Sequence, residues 1–221
     1  MEKVQAPVHQ RLLFGSVLAA AAGSIDSYTY LVHGEVFAGL QTGNLILLGS
    51  KIGLGEFNQV WRYLIAILAF MFGTILMRIF QYQFEGGKFH TNRPSAVLKY
   101  ELVLVLIVAL ISSWLPNLVS TALLSITAAA QLQEFRQLKG GPFTSLMMTG
   151  NIRTLAESFY DWVGHGDQKA RGKLADIGAI MVAFAFGAGL VAVLVSFLHG
   201  VSIIVTAVFL AIDISFLRFA D

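Results

Sequence analysis

Apolar residues occur in long runs along this chain, and polar residues gather between the runs. Six runs approach the roughly 20 residues that a membrane-spanning helix needs. They cover residues 12–33, 62–82, 97–115, 117–137, 176–198 and 200–218. Pro116 separates the third run from the fourth, and His199 and Gly200 separate the last two. The pattern predicts six transmembrane helices, with tight turns at these two links.

Two shorter apolar segments lie between these runs, and both contain Thr-Gly-Asn. The first, AGLQTGNLILLG, occupies residues 38–49, and the second, SLMMTGNIRTLA, occupies residues 145–156. Thr42 and Thr149 are 107 residues apart. Each half of the chain therefore reads as a helix, a Thr-Gly-Asn segment and two further helices.

Three spans in each half is an odd number, so the second half enters the membrane from the opposite face. Such an inverted-topology repeat is the architecture of many secondary transporters. We therefore predict an all-α integral membrane protein whose six transmembrane helices form two inverted three-helix repeats. Each repeat carries one Thr-Gly-Asn half-helix, which is either re-entrant or interfacial. The chain, 1–221, is predicted to be one membrane domain, with repeat one over 11–115 and repeat two over 116–219.

The composition favours a membrane over water as the solvent. Hydrophobic residues make up 56% of the 221 residues and charged residues 13%, whereas a soluble domain carries about 25% charged residues. The mean hydropathy is +0.71. Cysteine is absent, which excludes disulfide bonds and cysteine-based metal sites. The net charge of +2 gives no indication of nucleic-acid binding.

The positions of Lys and Arg favour six spans over eight. With six spans and a cytoplasmic N-terminus, 13 of the 15 basic residues lie on the cytoplasmic side, where they accumulate in membrane proteins. Only Lys51 and Arg62 then lie outside. If both Thr-Gly-Asn segments also crossed the membrane, six further basic residues would move outside: Arg78, Lys88, Arg93, Lys99, Arg136 and Lys139.

Each Thr-Gly-Asn segment is a candidate re-entrant half-helix that dips into the membrane from its own side. An oxygen of Thr or Asn would cap the helix start, and Gly would let the backbone turn sharply. Free amides and the positive end of the helix dipole would then face the membrane centre and suit an anion or a dipolar solute. The candidate binding residues are Gln41, Thr42, Gly43, Asn44, Thr149, Gly150 and Asn151.

A second interpretation is that the motif only caps a helix at the membrane interface. Residues 150–161 carry Arg153, Glu157 and Asp161, whose charges are costly deep in lipid. The interfacial interpretation therefore stays open, above all for the second segment.

Asp26 is the sharpest functional candidate outside the two motifs. It lies in an otherwise uncharged span, where a carboxylate indicates a functional site; the alternative is a structural contact with a neighbouring helix. Gln133 lies 107 residues later, and we predict it and Glu134 as further site residues, with interfacial polar residues as the alternative. Glu101 and Asp213 are expected to be solvated helix ends or partners of nearby Lys and Arg.

The region GSIDSYTYLVHGEVFAGLQTGNLILLG resembles the opening motif of the YoaK-like family of small multipass bacterial inner-membrane proteins. The matching positions are Gly23, Asp26, Val36, Phe37, Thr42, Gly43 and Asn44. The region AQLQEFRQLKGGPFTSLMMTGNIRTLA is similar to the second motif of the family. Its matching positions are Gln133, Arg136, Gly140 or Gly141, Met148, Thr149 and Gly150, and Glu134 stands where the family pattern has Asn. The resemblance implies a multipass protein of the bacterial inner membrane and brings no established substrate.

These observations predict a small-solute transporter or channel with a mid-membrane polar site and with both termini in the cytoplasm. The expected partners are the lipid bilayer, a small anionic or polar solute and further copies of the chain, without nucleic acid. We expect no cofactor, metal or catalytic site, because no histidine pair has metal-ligand spacing and no acid–base or nucleophile grouping is credible. The alternative is a non-transporting membrane scaffold or sensor subunit.

Overall fold

The computed structural model of the chain describes residues 6–85, 92–112, 114 and 116–219. Regular structure in these ranges is helical, apart from one short hairpin. The described α-helices are α1 (Leu12–Val32), α2 (Gln41–Gly53), α3 (Phe57–Glu85), α4 (Arg93–Ile111), α5 (Asn117–Glu134), α6 (Met148–His165), α7 (Gln168–Leu198) and α8 (Ile204–Arg218). The hairpin pairs β1 (Gln137–Leu138) with β2 (Gly141–Pro142), and short 3-10 turns precede α1 and α8.

The prediction of an all-α membrane protein is confirmed in its coarse form. Six helices, α1, α3, α4, α5, α7 and α8, lie in the six apolar runs, and α2 and α6 begin at the two Thr-Gly-Asn motifs. Within the described residues, three segments are long and apolar enough to cross a membrane by length and composition. They are Phe57–Glu85, Arg93–Ile111 and Gln168–Arg218, the last of which contains α7 and α8.

α1 and α5 form the middle of the bundle. α1 packs against α7 and α8, and α5 packs against α3 and α4. Thirteen residues of α1 are buried, most of them small, whereas only five of the 29 residues of α3 are buried. A helix enclosed by protein needs small side chains for close packing. A helix that faces lipid needs apolar side chains over its outer surface.

Glycine lets an outer helix, α7 or α3, pack closely against an inner helix, α1 or α5. A Cβ atom at Gly187 on α7 would collide with the backbone of Ala20 on α1. One at Gly73 on α3 would lie 2.8 Å from the Cα atom of Ile126 on α5. The small residues of α7 therefore serve a contact within this chain, as expected for close helix packing in membranes.

The six long helices run alternately in opposite directions between two ends of the bundle. Contacts at the end that we call the first end join Gln10 to Lys139, Gln81 and Arg93 to Glu134, and Lys139 to Asp176. Contacts at the second end join Tyr28 to Gly200, His33 to Asn117, and Arg62 to Gly34. Both described chain ends lie at the first end.

The two short helices do not run from end to end. After α1 ends, residues 33–40 turn back alongside it, so that Gly39 lies at the level of Asp26. α2 starts there and packs along α3. Residues 135–147 turn back in the same way from the first end, and α6 starts there and packs along α7. Both Thr-Gly-Asn motifs therefore lie inside the bundle at the start of a helix.

Candidate functional site

The carboxylate of Asp26 lies inside the bundle, bonded to the backbone of the segment before α2. Asp26 is 5% exposed, and its Oδ1 accepts a 2.6 Å hydrogen bond from the amide of Gly39. The preceding amide, that of Ala38, donates to Oγ1 of Thr29 at 3.1 Å. Asp26 and Thr29, both on α1, therefore hold the segment before α2 in place.

The segments that precede α2 and α6 meet each other beside Asp26. The contact is between Gly39 and Leu146, where a Cβ atom added to Gly39 would collide with Cδ2 of Leu146. The same added atom would lie 3.3 Å from Oδ2 of Asp26. These two positions are 107 residues apart, the same offset that relates Thr42 to Thr149.

Asn44 fixes the start of α2 by bonding to the backbone that precedes it. Its Oδ1 accepts a 3.0 Å hydrogen bond from the amide of Phe37, and its Nδ2 donates to the carbonyl oxygen of Phe37 at 2.7 Å. Nδ2 also donates to Oε1 of Gln41 at 2.9 Å, and Gln41 Nε2 donates to the carbonyl of Ala38. Asn44 is fully buried, so these bonds satisfy polar groups that water cannot reach.

Asn151 occupies the same place in the second segment with weaker bonds. Its Nδ2 donates to the carbonyl oxygen of Thr144 at 3.4 Å and to the sulfur of Met148 at 3.5 Å. The partners lie seven and three residues earlier, as they do for Asn44. The asparagine of each motif therefore ties its helix to the preceding segment.

The expectation that Thr or Asn of the motif caps the helix start is wrong. α2 begins at Gln41 with Leu40 at its N-cap, and α6 begins at Met148 with Met147 at its N-cap. Neither N-cap residue makes a side-chain hydrogen bond. The motifs lie one residue inside the helices, so the asparagine reaches back to the preceding segment instead.

The threonines and glycines of the two motifs have different surroundings. Thr42 is exposed, and Gly43 is packed so that an added Cβ atom would lie 3.0 Å from the ring of Phe37. Thr149 and Gly150 are both exposed, and nothing lies within 4 Å of a Cβ atom at Gly150. The first motif is therefore closed by packing, while the second is open.

A cavity of about 350 Å³ lies between α1, α7 and the starts of α2 and α6. Its polar lining includes Asp26, Ser27 and Thr149, and its apolar lining includes Leu146 and Phe184. Ser27 already donates to the carbonyl of Ala188 at 2.9 Å. The cavity is at the small end of the range of ligand pockets, so it suits a small molecule. Thr42 and Asn44 are absent from its lining.

Gln133 and Glu134 lie apart from this cavity, at the first end of the bundle. Glu134 Oε1 accepts a 2.9 Å bond from Nε of Arg93, and its Oε2 accepts a 3.1 Å bond from Gln81. Gln133 donates to Gln81 at 3.1 Å. All four residues line a second cavity of about 610 Å³. Burial lowers the pKa of His9 in the same lining.

Gln131, rather than Gln133, is the counterpart of Asp26 on α5. It is fully buried, and its Nε2 donates to Oγ of Ser145 at 2.7 Å and to the carbonyl of Leu18 at 3.0 Å. It therefore holds the segment before α6, as Asp26 holds the segment before α2. Its position within an apolar run is the signal that could have identified it.

The expectation of solvated or ion-paired positions for Glu101 and Asp213 is wrong. Both residues are fully buried, and no oxygen of either carboxyl group has a hydrogen-bond partner among the described residues. Charged residues inside apolar runs are functional candidates by default, and that signal was present in the sequence.

Comparison with known proteins places the chain in a family. A family model described as a protein of unknown function, DUF1275, matches residues 14–215. The chain is similar to the UPF0700 transmembrane protein YoaK of Bacillus subtilis (strain 168), with 30% identity over 148 residues. The aligned part covers 64% of this chain and 64% of that relative. No solved structure matches. The chain therefore belongs to the DUF1275 family and is a YoaK-like membrane protein.

Proposed function

We propose that this protein is a small-solute transporter or channel of the bacterial inner membrane. Its solute site is the cavity beside Asp26, between the starts of α2 and α6. The observation that carries the proposal is that a buried carboxylate and an exposed threonine of the second motif, Thr149, line one cavity where the two halves of the chain meet.

The helix packing supports two inverted repeats. Each helix of the first half has a counterpart in the second half: α1 and α5, α2 and α6, α3 and α7, α4 and α8. The contacts correspond as well, because α1 packs against α7 as α5 packs against α3, and α2 packs against α3 as α6 packs against α7. α2 and α6 begin 107 residues apart, at Gln41 and Met148, and α4 and α8 end 107 residues apart, at Ile111 and Arg218. Because the long helices alternate in direction, each half is inverted relative to the other, as in many transporters.

The lengths and charges of the short helices support different placements in the membrane. α2 has 13 residues and reaches about 20 Å, too short for a hydrocarbon core of about 30 Å. It suits a re-entrant half-helix whose preceding segment is buried in protein. α6 carries the exposed ion pair of Arg153 with Glu157, so only its start suits the membrane interior and its remainder suits the interface.

The distribution of charge supports the orientation. Basic residues gather at the first end, including Arg93 and Lys139, while Lys51 and Arg62 are on the other side of the bundle. The positive-inside rule then assigns the first end and both termini to the cytoplasm.

The chemistry of the cavity favours a small polar solute over a free anion. Among the described residues, Asp26 contributes the only carboxyl group to its lining, and much of the remaining lining is apolar. A carboxylate repels an anion in a space of low dielectric constant. A neutral polar solute or a small cation could bind to the Asp26 carboxylate and the hydroxyl of Thr149.

Solute flux into proteoliposomes tests the proposal. A panel of small polar solutes would be applied to liposomes that contain the full chain, and swelling would be followed by light scattering. Ala188→Phe fills the cavity from α7, whereas Val193→Phe adds the same side chain on the outer face of that helix, where Val193 is 60% exposed. We expect Ala188→Phe to reduce flux to that of empty liposomes and Val193→Phe to leave it unchanged.

The scaffold or sensor function remains the second candidate. It is favoured by the hydrogen bonds of Asp26, Asn44 and Asn151, all of which are made within the chain. Under this function the motifs serve folding. Equal swelling of protein-containing and empty liposomes for every solute would support it and would refute transport.

A further inference from the structure

One carboxyl group on α4 and one on α8 are buried without a hydrogen-bond partner among the described residues. Glu101 and Asp213 are each 0% exposed. All four carboxyl oxygens lack a hydrogen-bond donor among the described residues. α4 packs directly against α8, and Asp213 is near enough to Glu101 for their ionised forms to repel each other. The pair lies outside the lining of the cavity beside Asp26.

The charged groups around Glu101 are acidic rather than basic. Asp213 lies on α8 and Glu134 on α5, the two α-helices that pack most closely against α4. No Lys, Arg or His of the described residues acts on Glu101. Arg93 is bound to Glu134 instead.

Two acidic groups lie on the other long helices that pack against α8, and each has a partner of its own. On α1, the carboxylate of Asp26 is held by the amide of Gly39. On α7, Asp176 is paired with Lys139. Within the part of the chain that the structure describes, no Lys, Arg or His forms a hydrogen bond with Asp213.

An ionised carboxylate without a partner is very unfavourable inside a protein. Two ionised carboxylates close together add mutual repulsion. The neutral acid removes both costs, and it needs nothing except a proton. A metal cation is less suitable, because hard cations take six or more oxygen ligands and this pair offers four.

We propose that Glu101 and Asp213 form a proton-binding pair that exchanges protons with the first end of the bundle through Glu134. At neutral pH each carboxylate of the pair holds one proton and is uncharged. When a proton leaves, it moves to the carboxylate of Glu134 and then to water in the cavity of about 610 Å³ that Glu134 lines. Proton uptake follows the reverse route.

The depth of each group fits this route. Glu101 lies eight residues from the start of α4 at Arg93, and Asp213 lies five residues from the end of α8 at Arg218. At 1.5 Å per residue these positions are about 12 Å and about 8 Å from the first end. Glu134 is the last residue of α5, which packs against α4, and it lines the cavity, so it lies closer to the first end than the pair does. The proposal does not depend on solute transport.

Infrared spectroscopy of the full chain in lipid vesicles tests the protonation. We expect the C=O band of protonated carboxyl groups at neutral pH in the wild-type protein. Glu101→Gln and Asp213→Asn should each remove part of this band while preserving side-chain volume. Glu157→Gln, which alters an exposed carboxylate, should leave it unchanged. Absence of the band in the wild-type protein, which requires no variant to fold, would overturn the proposal.

Hydrogen–deuterium exchange of that band tests the route. Transfer into D₂O shifts the band as deuterons replace protons. We expect Glu134→Gln to slow this shift by roughly tenfold or more, because a positioned proton donor and acceptor is lost. Glu85→Gln alters another carboxyl group in the lining of the same cavity and should leave the rate unchanged. Equal rates in Glu134→Gln and wild type would refute the route, and loss of the band on adding sodium chloride would identify a cation site instead.

Discussion

The two Thr-Gly-Asn segments share a sequence and a position in the fold, yet they differ in how firmly they are held. In the first segment, Asn44 makes three hydrogen bonds of 2.7–3.0 Å, and Asp26 binds the preceding amide of Gly39. In the second, Asn151 makes two contacts of 3.4–3.5 Å. Only Thr149 of the second motif reaches the cavity.

This difference separates folding from function within one motif. The amide nitrogen of the asparagine bonds to residues seven and three positions earlier in both halves, so its role is to fix the helix start. Both threonines are exposed and only Thr149 lines the cavity, so the role of the threonine depends on its surroundings. A repeated motif therefore need not contribute two equal parts of a binding site.

Replacing Asn44 and Asn151 tests how firmly the two segments are held, and it has the largest expected effect on the free energy of unfolding. Asn44→Ala should lower the free energy of unfolding by about 3 kcal/mol, because it removes three hydrogen bonds and leaves the half-buried amide and carbonyl of Phe37 without their partner. Asn151→Ala should cost about 1 kcal/mol, because its bonds are long. Chemical denaturation in detergent, followed by circular dichroism, measures both values. Equal losses would show that the two segments are held equally firmly.

The sequence predicted the helices well because each carries its own signal. Apolar runs and Pro116 predicted all six long helices, although α7 begins at Gln168, eight residues before the predicted run, and α3 at Phe57, five residues before it. The start of α2 was misplaced, since the side chain of Asn44 bonds to Phe37, seven residues earlier, and such a bond leaves no local pattern. The coarse architecture was therefore predictable, and the helix caps were not.

The candidate site was predictable only in part, because its members come from three helices and from the segments that precede α2 and α6. Asp26 and Thr149 were predicted and lie in one lining. Gln133 was chosen for its offset of 107 residues, but Gln131 is the residue that holds the second segment. A shift of two residues turns a helix by more than half a turn, so an offset alone cannot decide which side chain faces inward.

Asp26 is expected to affect both stability and transport. Asp26→Asn keeps the shape but removes the negative charge that accepts amide bonds, so the free energy of unfolding should fall by about 2 kcal/mol. The variant should still bind solute but lose the pH dependence of flux, because Asp26 contributes the only carboxyl group to the cavity lining among the described residues. Flux into proteoliposomes at several pH values measures this. Unchanged pH dependence would remove Asp26 from the transport step.

Glycine replacements at the two segments give the smallest expected effects and the sharpest contrast. Gly39→Ala should lower the free energy of unfolding by about 1 kcal/mol, because the new methyl group must displace the flexible end of Leu146. Gly150→Ala should raise it by up to about 1 kcal/mol, since the site is helical, exposed and unobstructed. If Leu146 is the obstacle, the loss in Gly39→Ala combined with Leu146→Val should be smaller than the sum of the single losses. Additive losses would show that the two segments do not press on each other at this contact, and the cavity between them would then tolerate a change in either wall independently.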